Sequence, residues 1–335
     1  MRKKIFGAIA FAFLALFTLA SCGDSKDSEI ISTSFAGYDF ARAVAGDSMS
    51  ADMLLEPGEE LHDYSPSVGD VESILDSKVF IYIGGESDEE WVEEQILPSI
   101  DTTKTVVVNM MEVVEHKGTL YEEENPASAE ESEHHHHDDE ENLTATHTHE
   151  EGEEEEYDEH VWTSITNAKY IINAIYEALA KIDSDNADTY KANMNAYTAS
   201  LDTCDTNIKN VVASASKSIL VFADRFPLLY FVREYGLSYD AAFKGCESSK
   251  EASATTIESL TSVVKENNLG IIFVIELSEA NIADTIISNC AADGYTVTKE
   301  TFYTMHNVSK DDYKAGTTYV DFMNHNIEVL EAALN

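Results

Sequence analysis

Basic residues are scarce in this chain of 335 residues: 21 lysines and arginines stand against 63 aspartates and glutamates, for a formal net charge of −42. Proteins that bind nucleic acid neutralise phosphates with a basic surface, so this deficit argues against nucleic acid as a partner. Hydrophobic residues nevertheless make up 44% of the chain and aromatic residues 10%, which excludes a wholly disordered acidic protein. The length indicates one large domain or two of medium size.

The hydrophobic run near the N-terminus, residues 5–19, is too short for a comfortable transmembrane helix. It follows a short basic start, an arrangement typical of a secretory signal. Small residues precede Cys22, as in a bacterial lipobox, so we expect residues 1–21 to be a signal peptide and Cys22 to be acylated. Residues 22–29 would then form a lipid-anchored tether. The alternative is an ordinary signal peptide that happens to contain a cysteine.

Cysteine is also rare, with four in the whole chain. Beyond Cys22 there remain Cys204, Cys246 and Cys290, which allow at most one internal disulfide. Export would permit a bridge between Cys246 and Cys290, but their spacing does not establish one.

The sequence contains neither GxGxxG nor GxxxxGK[ST], which argues against dinucleotide-binding and P-loop functions. Apolar runs instead alternate with helical patterns, as in an α/β fold. Predicted strands lie at residues 30–35, 79–84, 105–110, 218–223, 239–243, 270–275 and 295–302. A helix predicted from about 186 to 214 would span roughly 45 Å, long enough to bridge two lobes. We therefore predict two α/β lobes with parallel sheets, joined by one long helix.

The predicted domain limits follow from this pattern. The N-terminal lobe is expected at residues 30–184, the linking helix at 185–216 and the C-terminal lobe at 217–335. Residues 122–159 interrupt the N-terminal lobe with 18 acidic residues and no lysine or arginine. This segment predicts a solvated, mobile loop. Its histidines are His134, His135, His136, His137, His147 and His149. They are expected to collect metal ions weakly; the alternative is a charged spacer that aids solubility.

Outside this loop, three residues are candidates for tight metal binding on sequence grounds. His160 re-enters the fold two residues before Trp162, a position that indicates an ordered, packed environment. His306 and Asp224 each follow a predicted strand, the end where α/β proteins place ligand groups. Asp224 has a serious alternative role as the N-cap of the next helix.

The remaining histidines are less informative. His62 lies in a polar turn, where an exposed loop histidine is the alternative interpretation. His325 lies inside a predicted closing helix and is interpreted as a packing or surface residue, and His116 is left undecided.

Several of these segments together resemble a known family. A lipobox at Cys22, the turn EPGEELHDYSPS at residues 56–67, the acidic histidine-rich insertion and DEHVWTS at 158–164 are similar to metal-binding lipoproteins of bacterial ABC importers. The resemblance is to the zinc/manganese cluster of solute-binding proteins and covers essentially the whole mature chain. It implies two α/β lobes joined by a rigid helix, with one metal ion in the cleft between them.

The resemblance also implies a ligand set. His62 and His160 match the two ligand positions of the N-terminal lobe, and His306 occupies a position where the family commonly has aspartate. Counting back from Tyr235-Gly236-Leu237 reaches Arg225, which cannot bind a cation, so Asp224 is expected instead with a shift of one residue. The fallback candidates for this position are Cys246, Glu247 and Glu251.

The resemblance implies a monomeric zinc receptor on the extracytoplasmic face of the membrane, which passes Zn²⁺ to an ABC permease and performs no covalent chemistry. Three imidazoles and one carboxylate favour zinc, whereas Mn²⁺ tolerates more oxygen ligands. A manganese or iron receptor of the same family, and a surface adhesin or metal buffer, remain alternatives. A zinc hydrolase is disfavoured because the sequence has no HExxH and offers four protein ligands.

Overall fold

The computed structural model describes residues 28–59, 64–130, 156–245 and 251–335. Its N-terminal half contains a four-stranded parallel sheet in the order β2-β1-β3-β4. The strands are β1 Ile30–Ser32, β2 Ala51–Met53, β3 Val79–Tyr82 and β4 Val106–Asn109. The helices are α1 Phe35–Ala45, α2 Val68–Asp76, α3 Glu86–Asp88, α4 Met110–Lys117, α5 Ala127–Glu130 and α6 Ile165–Ile182. A π-helix at Glu89–Ile96 and 3₁₀ turns at Leu97–Ser99, Val161–Thr163 and Ser184–Asn186 complete this half.

The C-terminal half repeats the architecture with a second parallel sheet in the order β6-β5-β7-β8. Its strands are β5 Ile219–Arg225, β6 Ser238–Phe243, β7 Ile271–Val274 and β8 Thr298–Thr301. Its helices are α8 Leu229–Tyr235, α9 Ala254–Glu266, α10 Asn281–Ala292, α11 Lys310–Ala315 and α12 Tyr319–Leu334. Parallel pairing with helical crossovers explains why strands such as β3 are continuous apolar runs, buried on both faces.

The two halves are linked by α7, Ala187–Ser214, whose 28 residues correspond to about 42 Å of helix. Its buried residues include Leu201, Cys204 and Ile208, and it packs against α6, α12 and α1. The prediction of two α/β lobes joined by one long helix is therefore confirmed. Among the described helices, none has both the length and the apolar character needed to cross a membrane.

One hydrophobic core runs through both lobes, and each sheet has a smaller apolar cluster on its other face. In the shared core the ring of Phe35, from the N-terminal lobe, meets that of Phe322 edge to face at 5.6 Å. Trp162 is fully buried there, and its backbone oxygen accepts a hydrogen bond of 2.7 Å from the hydroxyl of Tyr319. A continuous apolar interface restrains relative movement of lobes, so the site between them has a defined geometry.

The predicted loop at 122–159 differs from the structure at both ends, because those ends are ordered. Glu122 pairs with Tyr157 in an antiparallel bridge, and residues 127–130 form α5. Asp158 and Glu159 are fully buried. The six histidines of the insertion lie outside the described residues, as does Cys22. Cys204 and Cys290 are free and buried, whereas Cys246 is also outside the described residues.

Candidate metal centre

Three buried side chains converge where the two lobes meet. One ligand atom from each of Glu159, His160 and His306 lies within 4.8 Å of the others. Glu159 and His160 immediately precede the 3₁₀ turn that leads into α6, whereas His306 follows β8 of the other sheet. Within the part of the chain that the structure describes, this is the group of histidine and acidic side chains close enough to hold one ion.

His160 is oriented by the carboxylate of Asp158. Asp158 Oδ1 accepts the backbone N–H of His160 at 2.8 Å and lies 3.1 Å from its Nδ1. Burial alone would lower the pKa of His160, but attraction to Asp158 and the hydrogen bond between them raise that pKa above its ordinary value. Because Nδ1 faces Asp158, Nε2 is the nitrogen that would meet a metal ion. A carboxylate on the other ring nitrogen is the usual support for a metal-binding histidine.

The two imidazoles share a packing partner, Trp162. The ring of His160 lies 5.4 Å from that of Trp162, and the ring of His306 lies 5.5 Å from it. Trp162 is itself fixed, since its Nε1 donates a 2.9 Å hydrogen bond to the backbone oxygen of Thr304. This bond ties the N-terminal lobe to the segment that carries His306.

Glu159 is held from the N-terminal lobe by Ser87, whose backbone N–H donates to Glu159 Oε2 at 3.0 Å and whose hydroxyl donates to Oε1. Burial raises the pKa of Glu159. Burial, with the nearby charge of Glu159, also raises the pKa of Asp88 to about 7. A side chain at Gly85 would collide with Glu159, because its Cβ would lie 2.4 Å from the Cβ of Glu159. The glycine therefore makes room for this carboxylate.

Glu159, Ser87 and Asp88 are not among the residues that the sequence predicts. Glu159 stands beside His160 in the DEHVWTS segment, and that adjacency was the one signal available for it. Ser87 contacts Glu159 from α3 only through the fold, and the adjacent Asp88 senses the charge of Glu159, so no spacing in the sequence could have indicated either residue.

The structure does not bring Asp224 into this group. Its Oδ1 accepts the backbone N–H of Arg225 at 2.9 Å, and burial raises its pKa while a hydrogen bond from Ser278 opposes that rise. The pairing of β5 with β6 shifts register between Phe222 and Arg225. Such an irregularity re-aims the side chains at this strand end. The positive charge of Arg225 acts on His160 and lowers its pKa, a smaller effect than that of Asp158.

Other sequence candidates fall outside the group or outside the described residues. Glu251 is exposed, and His62, Cys246 and Glu247 lie outside the described residues. His325 lies in α12, where Nε2 is 3.1 Å from the backbone oxygen of Thr301. His116 is exposed on α4, with Nδ1 2.7 Å from the backbone oxygen of Glu112.

A short ribbon leads into the site from the acidic insertion. We call residues 121–123 and 156–158 the neck: Glu123 N–H donates to the oxygen of Glu156 at 2.9 Å, and Asp158 N–H donates to that of Tyr121 at 2.9 Å. Lys244 of the C-terminal lobe pairs with Glu123 at 2.8 Å. The hydroxyl of Tyr230, from the same lobe, donates to the oxygen of Asp158 at 2.8 Å. The neck therefore contacts the C-terminal lobe two residues before His160.

The donor set suits a borderline divalent ion such as zinc, which binds imidazole nitrogen and carboxylate oxygen at about 2.0–2.2 Å. In tetrahedral coordination, two such ligands lie about 3.4 Å apart. The ligand atoms of this group lie within 4.8 Å of one another, so they would have to move closer together by up to about 1.4 Å to bind one ion. Ligands that come from both lobes would let one ion tie the lobes together.

Comparison with known proteins identifies one family and several relatives that match nearly the whole chain. Residues 30–333 match the family described as ZnuA, zinc-uptake complex component A, periplasmic. The chain is 28% identical to the high-affinity zinc uptake system protein ZnuA of Bacillus subtilis over 335 residues, covering 97% of this chain and 96% of that protein. It is 27% identical to the zinc-binding lipoprotein AdcA of Streptococcus pneumoniae over 334 residues, covering 98% of this chain. The chain spans 60% of the length of that AdcA.

A solved structure supports the fold. The chain is similar to the Zn(II)-bound ZnuA-like domain of Streptococcus pneumoniae AdcA, with a TM-score of 0.68 and 24% identity. That match covers 91% of this chain and 98% of the other. The arrangement of lobes and linking helix is thus shared with a protein of solved structure.

Proposed function

The chain belongs to the ZnuA family of periplasmic zinc-uptake components, and from this premise we propose that it is a receptor that captures Zn²⁺ and delivers it to an ABC permease. The observation that carries the proposal is the buried group of Glu159, His160 and His306 at the junction of the lobes. Imidazoles from both lobes would bind the ion, and a movement that draws these ligands apart at the permease would release it. The protein acts by binding and release, without covalent chemistry on its cargo.

We assign His160 and His306 as two zinc ligands, with His62 as the third imidazole on the basis of the HDYSPS turn. The carboxylate of the described group is Glu159, whose ligand oxygen lies with the imidazoles. Asp224, the carboxylate expected from the sequence, is the competing assignment. Zinc is favoured over manganese because two nitrogen ligands dominate the described group.

Competition titration of the purified protein with a chromogenic zinc chelator, together with metal analysis, tests the proposal. We expect one tight zinc site and a preference for zinc over manganese. Replacement of His160 or His306 by alanine should lower the affinity by orders of magnitude. His325→Ala is the matched control, because His325 contacts a backbone oxygen in α12 away from the group. Wild-type affinity in both His160→Ala and His306→Ala would refute the assignment.

We also propose an extracytoplasmic location, with the chain anchored through a lipid on Cys22 and functioning as a monomer. The lipobox-like segment before Cys22 supports the anchor. Metabolic labelling with a radioactive fatty acid tests it: Cys22→Ser should abolish labelling, while Cys204→Ser should not. Labelling that persists in Cys22→Ser would refute lipidation at this residue.

The acidic insertion has a second proposed role, as a weak collector of zinc. His134–His137, His147 and His149 supply imidazoles, and the acidic residues around them concentrate cations. The order of the chain supports this role, because the insertion returns through the neck directly to His160.

A further inference from the structure

The turn that carries His306 is held in place by the carboxylate of Glu276, which lies in a different loop. Glu276 follows β7, whereas His306 follows the neighbouring strand β8. Glu276 Oε2 accepts the backbone N–H of Thr304 at 2.8 Å. Its Oε1 accepts the hydroxyl of Thr304 at 2.6 Å and the backbone N–H of His306 at 3.1 Å. One carboxylate therefore binds three donors within the segment that ends at His306.

The backbone around both residues is unusual. Met305, directly before His306, has φ 56°, and Leu277, directly after Glu276, has φ 65°. Residues other than glycine seldom adopt this left-handed backbone conformation, and it persists only where surrounding contacts impose it. The carboxylate of Glu276 provides three of those contacts for the turn at Met305, and the hydrogen bond from Trp162 to Thr304 provides another. Without it, the turn would relax and carry the imidazole of His306 with it.

We propose that Glu276 is a positioning residue for metal capture, which sets the place of His306 relative to His160 without touching the ion. The inference rests on the proposed function, because it assigns the purpose of the turn to zinc binding. Asp158 plays a different part for His160, since it contacts the imidazole itself. Glu276 acts through the backbone that carries the second histidine.

Three substitutions distinguish a positioning role of Glu276 from an effect of its negative charge. Glu276→Ala removes every acceptor, whereas Glu276→Gln removes the charge but keeps one carbonyl oxygen for the donors of the turn. Glu300→Ala is the matched control, because Glu300 is an exposed acidic residue on neighbouring β8. Glu276 lines an open cavity of about 370 Å³, so truncation does not leave a sealed void and the variant is expected to fold.

We expect Glu276→Ala to lower zinc affinity by about 10- to 100-fold, the usual effect of losing a support of a metal ligand. Glu276→Gln should recover most of that loss, and Glu300→Ala should bind like the wild type. Combined with His306→Ala, the Glu276→Ala change should cause no further loss. The Co²⁺-substituted Glu276→Ala protein should show altered d–d bands. A full additional loss in the double variant, or wild-type bands, would overturn the proposal.

A measurement without metal distinguishes this inference from the proposed function. Hydrogen–deuterium exchange of the amides of residues 304–306 should be slow in the wild type and in Glu276→Gln, and faster in Glu276→Ala. Unchanged exchange in Glu276→Ala would refute positioning even if zinc binds tightly. Absence of tight zinc binding in a wild-type protein that shows the expected exchange pattern would instead refute the proposed function.

Discussion

The imidazole of His160 meets that of His306 edge to face, with ring centroids 5.0 Å apart and planes at 85°. The two residues belong to different lobes, and both rings pack on Trp162. A pair of imidazoles at this distance can share one ion, but the position of each ring is set by the lobe that carries it. Metal selectivity should therefore respond to changes in either residue and in its support.

The first prediction concerns the identity of the second imidazole. His306→Asp replaces a nitrogen ligand with oxygen, which Mn²⁺ tolerates better than Zn²⁺ does. We expect the ratio of zinc to manganese affinity to fall, as measured by competition titration with both ions. His325→Asp is the control, since the same chemical change there lies in α12. An unchanged ratio in His306→Asp would remove His306 from the ligand set.

The second prediction tests which carboxylate binds the ion. Glu159→Gln should weaken zinc binding by about tenfold or more, because the ligand oxygen of Glu159 lies within the group. Asp224→Asn should have little effect, because Asp224 lies outside the group and is hydrogen-bonded at the end of β5. Glu251→Gln, at an exposed residue, is the charge control. The reverse order for Glu159 and Asp224 would favour the ligand set inferred from the sequence.

The third prediction concerns pH. Asp158 raises the pKa of His160, so protons compete with zinc at a higher pH than for an ordinary histidine. Zinc affinity should fall as the pH is lowered from about 8 to 5. In Asp158→Asn the pKa should drop, and the fall in affinity should move to lower pH. Titrations across this range check the shift; an identical midpoint in both proteins would contradict the role given to Asp158.

The fourth prediction concerns stability. The pKa of Asp88 is raised from 3.8 to about 7, mainly by burial. The folded protein therefore keeps this proton at pH values where the unfolded chain has lost it. The contribution of Asp88 to the free energy of unfolding should decline as the pH rises from about 4 to 7, since the folded state binds more protons there. Asp88→Asn cannot ionise and should flatten this decline.

Denaturant unfolding at several pH values measures the effect. Asn keeps an oxygen for the N–H groups of Ile83 and Gly84, which Asp88 Oδ2 accepts at 2.6 and 3.2 Å. Asp70→Asn, in the exposed capping box of α2, is a control that alters a carboxylate without this burial. The same pH slope in the wild type and Asp88→Asn would show that the pKa of Asp88 is not raised by folding.

The fifth prediction concerns the acidic insertion. Replacing residues 131–155 with a short Gly-Ser linker removes the six histidines but keeps the neck and α5. We expect one tight zinc site to remain and the weak additional sites to disappear in a calorimetric titration. A linker that retains the acidic residues but replaces the histidines with serine separates the two contributions. Unchanged stoichiometry would refute the collector role.

The fold could be predicted where the burial of a strand or helix determines which of its residues are apolar. The run at Val79–Tyr82 is apolar at every position because both faces of β3 are covered, and α7 was recognised from its length and composition. Ala51–Met53 was missed because β2 has three residues, one of them an aspartate. The π-helix at Glu89–Ile96 was missed because four of its eight residues are glutamate, which hides the short buried set of Trp91, Val92 and Ile96.

The site was only partly predictable for a related reason. His160 and His306 could be selected because each lies at an informative place in the sequence, after the acidic segment or after a strand. The choice between Asp224 and Arg225 depended on register, and the β5–β6 pairing is irregular at that point. A shift of one residue reverses the face of every side chain in a strand, so spacing alone could not decide the ligand. The supports from Ser87 and Glu276 arise from tertiary contacts.

The neck has a consequence for how this protein can vary. Because residues 121–123 and 156–158 are already joined to each other and to the C-terminal lobe, the chain between them can change in length without displacing Asp158. Related proteins could thus lengthen, shorten or recompose this insertion under selection while the geometry at His160 is inherited intact. The same property makes the stretch a suitable place for grafting an epitope or a fluorescent reporter.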